Sequence, residues 1–213
     1  MSERTVEDHL REEYFGLLPK IKAVAEELEA QVRFCLLPLS TKLQTYERLE
    51  IQSRVKDCES GIQSLRRRIE GATFDRDRSD SYTLASLHDL AGVRVLAFPP
   101  GRLIEADTIL RERFPNWTPD HVFDKTTSDT LAFKYYGNCR ADAKVCGEYQ
   151  VVSMLTGLFW QVEHAALYKL SPELKGLEGS LEMEERRSAV YEALREFEES
   201  FERMLRRGPL NKP

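Results

Sequence analysis

The sequence lacks the features that mark several large classes of protein. No apolar run among its 213 residues approaches the roughly 18 that a helix needs to cross a bilayer. Its first residues are polar and acidic, unlike a secretory signal, and no internal repeat or low-complexity tract is present. The net charge of −5 argues against a general nucleic-acid coat protein, although a local basic patch remains open. We therefore expect a globular, cytoplasmic protein with no membrane partner.

Cysteine is also scarce and poorly spaced for metal binding. The four cysteines are Cys35, Cys58, Cys139 and Cys146, and none of them forms a Cys-x-x-Cys pair. This spacing argues against a zinc knuckle. Cys139 and Cys146 could face each other across a hairpin. Without an export signal, we interpret all four as reduced thiols.

The first part of the chain predicts helices. Over residues 6–36 apolar side chains recur at steps of three and four, as in Leu10, Tyr14 and Leu17. Pro19 predicts a kink or a break in this helix, and Pro38 its end. From Thr41 the pattern favours either a further helix or, at residues 54–56, a short strand or turn. Another helix is predicted from Asp57 to Gly71.

The strand at residues 92–98 is the central element of the prediction. It is apolar and β-branched except for Arg94, and Pro99-Pro100-Gly101 follows it, so we expect it to be buried on both faces. Asp89 precedes it. This carboxylate either turns the backbone into the strand or is compensated by a metal ion carrying phosphate, or by Arg94.

The rest of the chain predicts a small mixed sheet with helices around it. We predict helices over residues 103–114, 154–170 and 181–207, strands over 121–124, 130–136 and 148–153, a turn at 137–138 and a loop over 171–180. On the last strand, Tyr149 faces one way and Glu148 with Gln150 the other. An apolar stripe on the last helix could pack on the first helix or on a partner chain. The predicted fold class is α+β.

Two groups of polar residues suggest phosphate chemistry. Arg54 and Lys56 project the same way if their segment is extended, and Ser60 lies near a helix start, which together suit a polyphosphate. A solvated basic helix start would look the same. Asp89 and Glu148, on neighbouring strands, could hold one Mg²⁺ between phosphate oxygens, and one of them could take a proton from an attacking hydroxyl.

These motifs occur in an order that resembles a known family. Arg-x-Lys-x-x-x-Ser, His-Asp-Leu-Ala-Gly-Val-Arg, Glu-x-Gln and Val-Glu-His-x-x-x-Tyr-Lys look like the synthetase domain of RelA/SpoT-type alarmone synthetases, most closely the small single-domain members. The resemblance covers residues 45–170 and implies a nucleotidyltransferase-like mixed sheet there, while the apolar spacing predicts a helical arm at 1–44 and a C-terminal helix at 171–213. It implies Mg²⁺-dependent transfer of pyrophosphate from ATP to the 3′-hydroxyl of GTP or GDP.

The resemblance also assigns roles to residues. Arg54, Lys56 and Ser60 would grip the ATP phosphates, with Arg66 and Arg94 as auxiliary contacts. Asp89 would hold Mg²⁺, and Glu148 would bind metal or activate the 3′-hydroxyl. The residues assigned to the acceptor are Gln150, Tyr135 and His164.

The acceptor half departs from the family pattern. The family's Gly-Tyr-x-Ser-x-His motif, whose tyrosine stacks on guanine, is missing from residues 126–137. Phe133, Tyr135 or Tyr136 could supply the ring, although both tyrosines could equally be core residues. Three functions other than synthesis of a guanosine alarmone therefore stay open. The protein could be a toxin-type enzyme acting on adenine nucleotides or the tRNA 3′ end, with a possible antitoxin. It could also be a degenerate nucleotide-binding module or an interaction protein. The helical ends predict a homo-oligomer.

Overall fold

The mixed sheet and its surrounding helices are present in a computed structural model, which describes residues 5–69, 73–75, 81–168 and 181–206, with the backbone alone over 164–168. The predicted α+β class is confirmed. The elements in chain order are α1 (Val6–Ser40), β1 (Arg48–Val55), α2 (Cys58–Arg67), β2 (Ala91–Phe98), α3 (Pro100–Arg113), β3 (Thr118–Pro119), β4 (Val122–Phe123), β5 (Thr130–Asn138), β6 (Cys146–Ser153), α4 (Met154–Tyr168) and α5 (Leu181–Arg206).

The sheet has the strand order β1-β2-β6-β5-β3, and β4 also pairs with β5. β2 and β6 run parallel, and every other pair is antiparallel. β2 is central and buried along nearly its whole length, as its β-branched sequence predicts. Because a parallel pair needs a crossover, α3 and three strands lie between β2 and β6 in the chain.

Helix α1 runs through both of its prolines. Thr5 caps it in a capping box with Asp8, and the helix continues past Pro19 and Pro38 to Ser40. A break at Pro19 and an end at Pro38 are therefore wrong, and the kink at Pro19 stays a prediction. A proline inside a helix costs roughly 3 kcal/mol. Ten side chains of α1 are buried in all, some before Pro19 and the others after it, and their burial outweighs that cost.

The two faces of the sheet differ, and we name them by what covers them. The core face carries Val93, Val95, Tyr149 and Val151 and packs against α1 and α3 in one apolar cluster. The cleft face carries the alternate residues, including Arg54, Arg94, Glu148 and Gln150. α4 and α5 cover only one end of the cleft face, where Gly157 of α4 lies against Leu96.

Several local predictions are corrected by the structure. The stretch after Thr41 leads into β1, so the strand alternative was right and the further helix wrong. Gly137 and Asn138 belong to β5 and are not a turn, because both pair with β6. Helix α3 begins at Pro100, inside the segment predicted to end the strand. The predicted ends at Gly71, Leu170 and Arg207, and the loop at 171–180, lie outside the described residues.

The apolar stripe predicted on α5 packs only in part, since Phe201 contacts Phe98 with 5.3 Å between ring centroids. Val190, Phe197 and Met204 are exposed, whereas Ser188, Tyr191 and Glu198 are buried. α5 packs on α3 and α4, not on α1. Within the described ranges, no helix is long and apolar enough to cross a membrane.

Candidate active site

A cleft of about 970 Å³ opens over the cleft face between β1, α2, α4 and α5. Its basic lining residues are Arg54, Lys56, Arg67, Arg94, Lys125 and Arg187. Asp57, Glu163 and Glu184 are the acidic ones. Glu184 pairs with Lys125, and Glu163 pairs with Arg187. Six basic and three acidic side chains of the described residues line the cleft, so its lining is positive on balance, which suits a polyphosphate.

Lys56 is the best-fixed cation of this cleft. Its backbone N–H donates to the Leu90 carbonyl (2.9 Å), and its own carbonyl accepts from the Tyr14 hydroxyl (2.8 Å). Its ammonium group pairs with Asp89 and donates to Ser64 Oγ (3.0 Å). Lys56 is therefore held from the sheet and from α1 at once, with its charge opposite Asp89.

Asp89 remains ionised beside this lysine. Burial of the carboxyl works against the charged form, but the hydrogen bond and charge of Lys56, with Arg54 and Arg68, lower the pKa of Asp89 below its ordinary value. The residue lies in the turn before β2, as the first interpretation has it, and its charge is compensated by Lys56 and not by Arg94. Asp89 thus joins the turn to the strand, and its carboxylate is paired with the Lys56 ammonium group.

The sheet register brings the second carboxylate to the same place. Arg54 on β1, Gly92 on β2, Glu148 on β6 and Tyr136 on β5 pair in one row across four strands. A Cβ at Gly92 would lie 3.3 Å from the Glu148 carbonyl oxygen, so a larger residue would crowd this row. Glu148 and Asp89 are close enough for the charge of Asp89 to contribute to raising the pKa of Glu148.

Glu148 is buried in a polar network. Its Oε1 accepts from Gln150 Nε2 (2.7 Å), and its Oε2 lies 3.5 Å from the Lys134 ammonium nitrogen. Lys134 also pairs with Asp120 (2.7 Å). Burial, with Asp89 adding to it, raises the pKa of Glu148, although Lys134 opposes this. A carboxylate with a raised pKa is a stronger base than an ordinary one.

The two carboxylates suit a divalent cation shared with a substrate. Asp89 Oδ1 is buried and has no hydrogen-bond partner among the described residues. The same part of the chain shows no cluster of three or more histidine, cysteine or acidic side chains that could hold a metal by itself. Mg²⁺ ordinarily uses one or two carboxylates together with substrate phosphates, so this donor set fits Mg²⁺ better than zinc.

The structure brings most, but not all, of the predicted site residues to the cleft. Arg54, Lys56, Ser60, Arg94 and Gln150 line it. The half-buried Asp89 contacts Lys56 of the lining, and the buried Glu148 contacts Gln150 of the lining. Asp57 caps α2 by accepting a hydrogen bond from the Ser60 amide. The hydroxyl that contacts Lys56 is that of Ser64, a residue that the sequence analysis did not identify.

Arg66 is not brought to the cleft. It pairs with Glu7 of α1 (2.8 Å) and lies over the ring of Phe74. Its neighbour Arg67 lines the cleft instead. Successive residues of a helix point about 100° apart, and a run of three arginines does not show which one faces a ligand.

Tyr135 and Tyr136 separate onto the two faces. Tyr135 is buried on the core face and stacks on Tyr149 (4.9 Å between ring centroids), so the structure does not place it at an acceptor site. Tyr136 is on the cleft face beside Glu148 and stacks on His88 (4.0 Å between centroids, 17° between planes). His164 lies on α4, but its side chain is outside the described residues.

The fold has solved counterparts among small nucleotide-handling enzymes. The small alarmone synthetase 1 of Bacillus subtilis, bound to its product pppGpp, superposes with a TM-score of 0.67 at 15% identity, over 93% of this chain and 100% of that one. The small alarmone synthetase 2 of the same organism gives 0.61 at 16% identity, over 89% and 97%. A GTP pyrophosphokinase family protein of Streptococcus pneumoniae gives 0.58 at 20% identity, over 88% and 90%.

These likenesses define the fold as that of the small alarmone synthetases, and they cover most of the chain. No family model matches the sequence, and no curated protein matches it. Because the identities are 15–20%, the comparisons establish the architecture and leave the reaction to the site itself.

Proposed function

We propose that this protein is an ATP-dependent pyrophosphokinase that transfers pyrophosphate to the 3′-hydroxyl of a nucleotide, with GTP or GDP as the acceptor and Mg²⁺ as the metal. The observation that carries the proposal is the single row of Arg54, Gly92, Glu148 and Tyr136, with the Lys56–Asp89 pair beside it. Cations for a polyphosphate, two carboxylates and an aromatic ring thereby meet at one end of the cleft face.

The donor half follows from the positive side of the cleft. Arg54, Lys56, Ser60 and Arg94 bind the ATP phosphates, because charge neutralisation and alignment are most of what phosphoryl transfer requires. Asp89, whose Oδ1 has no partner among the described residues, would hold Mg²⁺, and the metal would supply further positive charge to the phosphate oxygens. One solved counterpart, the small alarmone synthetase 1 of Bacillus subtilis, has been determined with the ATP analogue AMPCPP.

The acceptor half follows from the other end of the row. The 3′-hydroxyl oxygen attacks the β-phosphorus of ATP, the bond from that phosphorus to the α-phosphate oxygen breaks, and AMP leaves. Glu148, whose pKa is raised by burial, takes the hydroxyl proton. The stacked rings of Tyr136 and His88 offer a flat surface for a base next to that carboxylate.

The test uses ATP labelled at its β-phosphate and four separate acceptors: GTP, GDP, ATP and tRNA. We expect label on the 3′-position of GTP or GDP, with one AMP released for each transfer. Label on tRNA or on adenine nucleotide instead would keep the pyrophosphokinase and replace the acceptor. Absence of AMP with all four acceptors, in the presence of Mg²⁺, would contradict the proposal.

The Glu148→Gln variant tests the role of the buried carboxylate. Removing its charge while keeping its shape should lower turnover by roughly 10²–10³-fold, a loss typical of a group that acts on developing charge. Glu50→Gln is the matched control, because Glu50 is exposed on the cleft face of the edge strand β1. It should leave turnover unchanged. Equal activities of the two variants would remove Glu148 from the mechanism.

A further inference from the structure

Arg94 lies in the cleft without an acidic partner. Its Nε donates to Gln150 Oε1 (3.2 Å). Among the described side chains, no carboxylate lies within ion-pair distance of its guanidinium. A long side chain held by one hydrogen bond would sample several rotamers and would lose that freedom on binding a phosphate. Another contact must therefore hold the guanidinium if it is to be ready for a ligand.

Trp160 of α4 provides that contact. The Arg94 Cζ lies 5.8 Å from the centroid of the Trp160 ring, within the range of a cation–π interaction. On the next residue, Gln161 Nε2 donates to Gln52 Oε1 (2.7 Å) and ties α4 to β1. The indole is thus fixed relative to the strands on which Arg94 and Arg54 lie.

The indole is itself oriented by α5. Trp160 Nε1–H donates to the Tyr191 hydroxyl (2.8 Å). Tyr191 is buried on α5 and makes an edge contact with Phe159 (5.5 Å between centroids). Arg187, one turn earlier on α5, pairs with Glu163 of α4. A series of contacts therefore runs from α5 through the indole to the Arg94 guanidinium.

From this geometry we infer that the C-terminal helix belongs to the nucleotide site: Tyr191 is a positioning residue that orients Trp160, and Trp160 holds the Arg94 guanidinium ready for the ATP phosphates. The inference rests on the proposed function for the role of Arg94. It predicts an effect on ATP binding, because Arg94 is the residue that Tyr191 and Trp160 hold for the ATP phosphates.

The Tyr191→Phe variant keeps the ring and removes the hydroxyl that accepts from Trp160. We expect the KM for ATP to rise about 3-fold to 10-fold, as for the loss of one well-formed hydrogen bond. The kcat and the KM for the acceptor should stay within about 2-fold. Trp160→Phe should raise the KM for ATP at least as much, because it removes the same donor and leaves a smaller ring under Arg94.

The double variant distinguishes positioning from general loosening of α5. If Tyr191 acts through Trp160, Tyr191→Phe adds nothing to Trp160→Phe, so the two effects on the KM for ATP are not additive. Phe201→Leu is the control, since Phe201 packs α5 against Phe98 at the other end of the helix. It should lower the melting temperature and leave the KM for ATP unchanged.

Calorimetry with the ATP analogue AMPCPP separates this inference from the proposed function. A weaker, non-additive affinity in the Tyr191 and Trp160 variants supports the inference even if wild-type protein transfers no pyrophosphate. An unchanged affinity overturns it, as does an additive loss, or a loss of the same size in Phe201→Leu. Wild-type protein that does not bind the analogue would also overturn it, because Arg94 would then have no nucleotide to hold.

Discussion

Neighbouring residues of β6 point to opposite faces of the sheet and meet opposite surroundings. Tyr149 and Val151 are fully buried on the core face, among apolar side chains of α1 and α3. The alternate residues Glu148 and Gln150 lie on the cleft face in a network of hydrogen bonds. The core face supplies most of the apolar burial that stabilises the fold, whereas the cleft face keeps charged groups that a stability optimum would remove. Substitutions on the two faces should therefore fail in different ways.

The largest loss of stability is expected on the core side. Leu28 of α1 is fully buried, and its Cδ2 would lie 3.2 Å from a Cβ placed on Gly147 of β6. Leu28→Ala should lower the free energy of unfolding by about 2–5 kcal/mol, from lost burial and the remaining cavity. Denaturant titration measures this. Leu37→Ala, at an exposed site of the same helix, should change it little.

The KM for ATP and the kcat of Leu28→Ala and Leu37→Ala test whether the core face affects the site. The folded fraction of Leu28→Ala should keep its KM for ATP and its kcat, because Leu28 lies in the core cluster against Gly147, on the opposite face of the sheet from the cleft. A specific loss of turnover in the folded protein would mean that the core face shapes the site directly.

A smaller loss of stability is expected at Gly157, where α4 packs against the cleft face. A Cβ at Gly157 would lie 2.3 Å from Leu96 Cδ2 and 3.1 Å from Val152 Cγ1, both buried. Gly157→Ala should cost about 1–3 kcal/mol of stability through this overlap. Because α4 carries Trp160, it should also raise the KM for ATP. Thermal melts and ATP titrations test the two parts.

The matched control for this glycine lies on α1. A Cβ at Gly16 would meet nothing within 4 Å. Gly16→Ala should therefore stabilise the protein by roughly 0.5–1 kcal/mol, the difference in helix propensity. If both substitutions stabilise the protein, α4 does not pack against the cleft face as described.

The smallest effect concerns a buried acid that has no ion pair. Glu198 of α5 is 2% exposed and accepts from the Leu155 amide (3.3 Å), and no cation of the described residues pairs with it. Burial raises its pKa above the ordinary value. The folded state thus binds the proton more tightly than the unfolded state, so stability is lost as the pH rises from the ordinary pKa through the raised one.

Glu198→Gln removes this ionisation and keeps an oxygen for the amide. Melting temperatures should be higher than in wild type at pH 8 and similar at pH 4, so the difference grows with pH. Glu196→Gln, on the exposed side of the same helix, should show no such trend. A wild-type advantage at pH 8 would mean that the Glu198 charge is compensated.

Alternation and β-branching made the sheet predictable in its centre. The apolar sequence of β2 and the alternation in β6 placed Tyr149 on one face and Glu148 with Gln150 on the other. The α+β class and the fold of the small alarmone synthetases follow from these strands, the helices between them and the order of the motifs. Asp89 and Lys56 were also assigned to one site, although the sequence did not show that they would pair directly.

The other positions depended on contacts that are distant in sequence. The adjacent residues Tyr135 and Tyr136 must face opposite ways, and only the pairing of β5 with β6 decides which one reaches the cleft. Pro19 does not break α1, because tertiary burial on both sides of it outweighs a local cost. The apolar stripe of α5 misled for the same reason, since Tyr191 and Glu198 are buried in place of Val190 and Phe197.

The parallel pairing of β2 with β6 has a consequence for how the protein matures. Asp89 and Glu148 are far apart along the chain, and an intervening helix and three strands must be made before they meet. Such long-range closure slows folding. A polypeptide still emerging from the ribosome would therefore lack the paired Asp89 and Glu148 site until β6 has been synthesised and has joined the sheet.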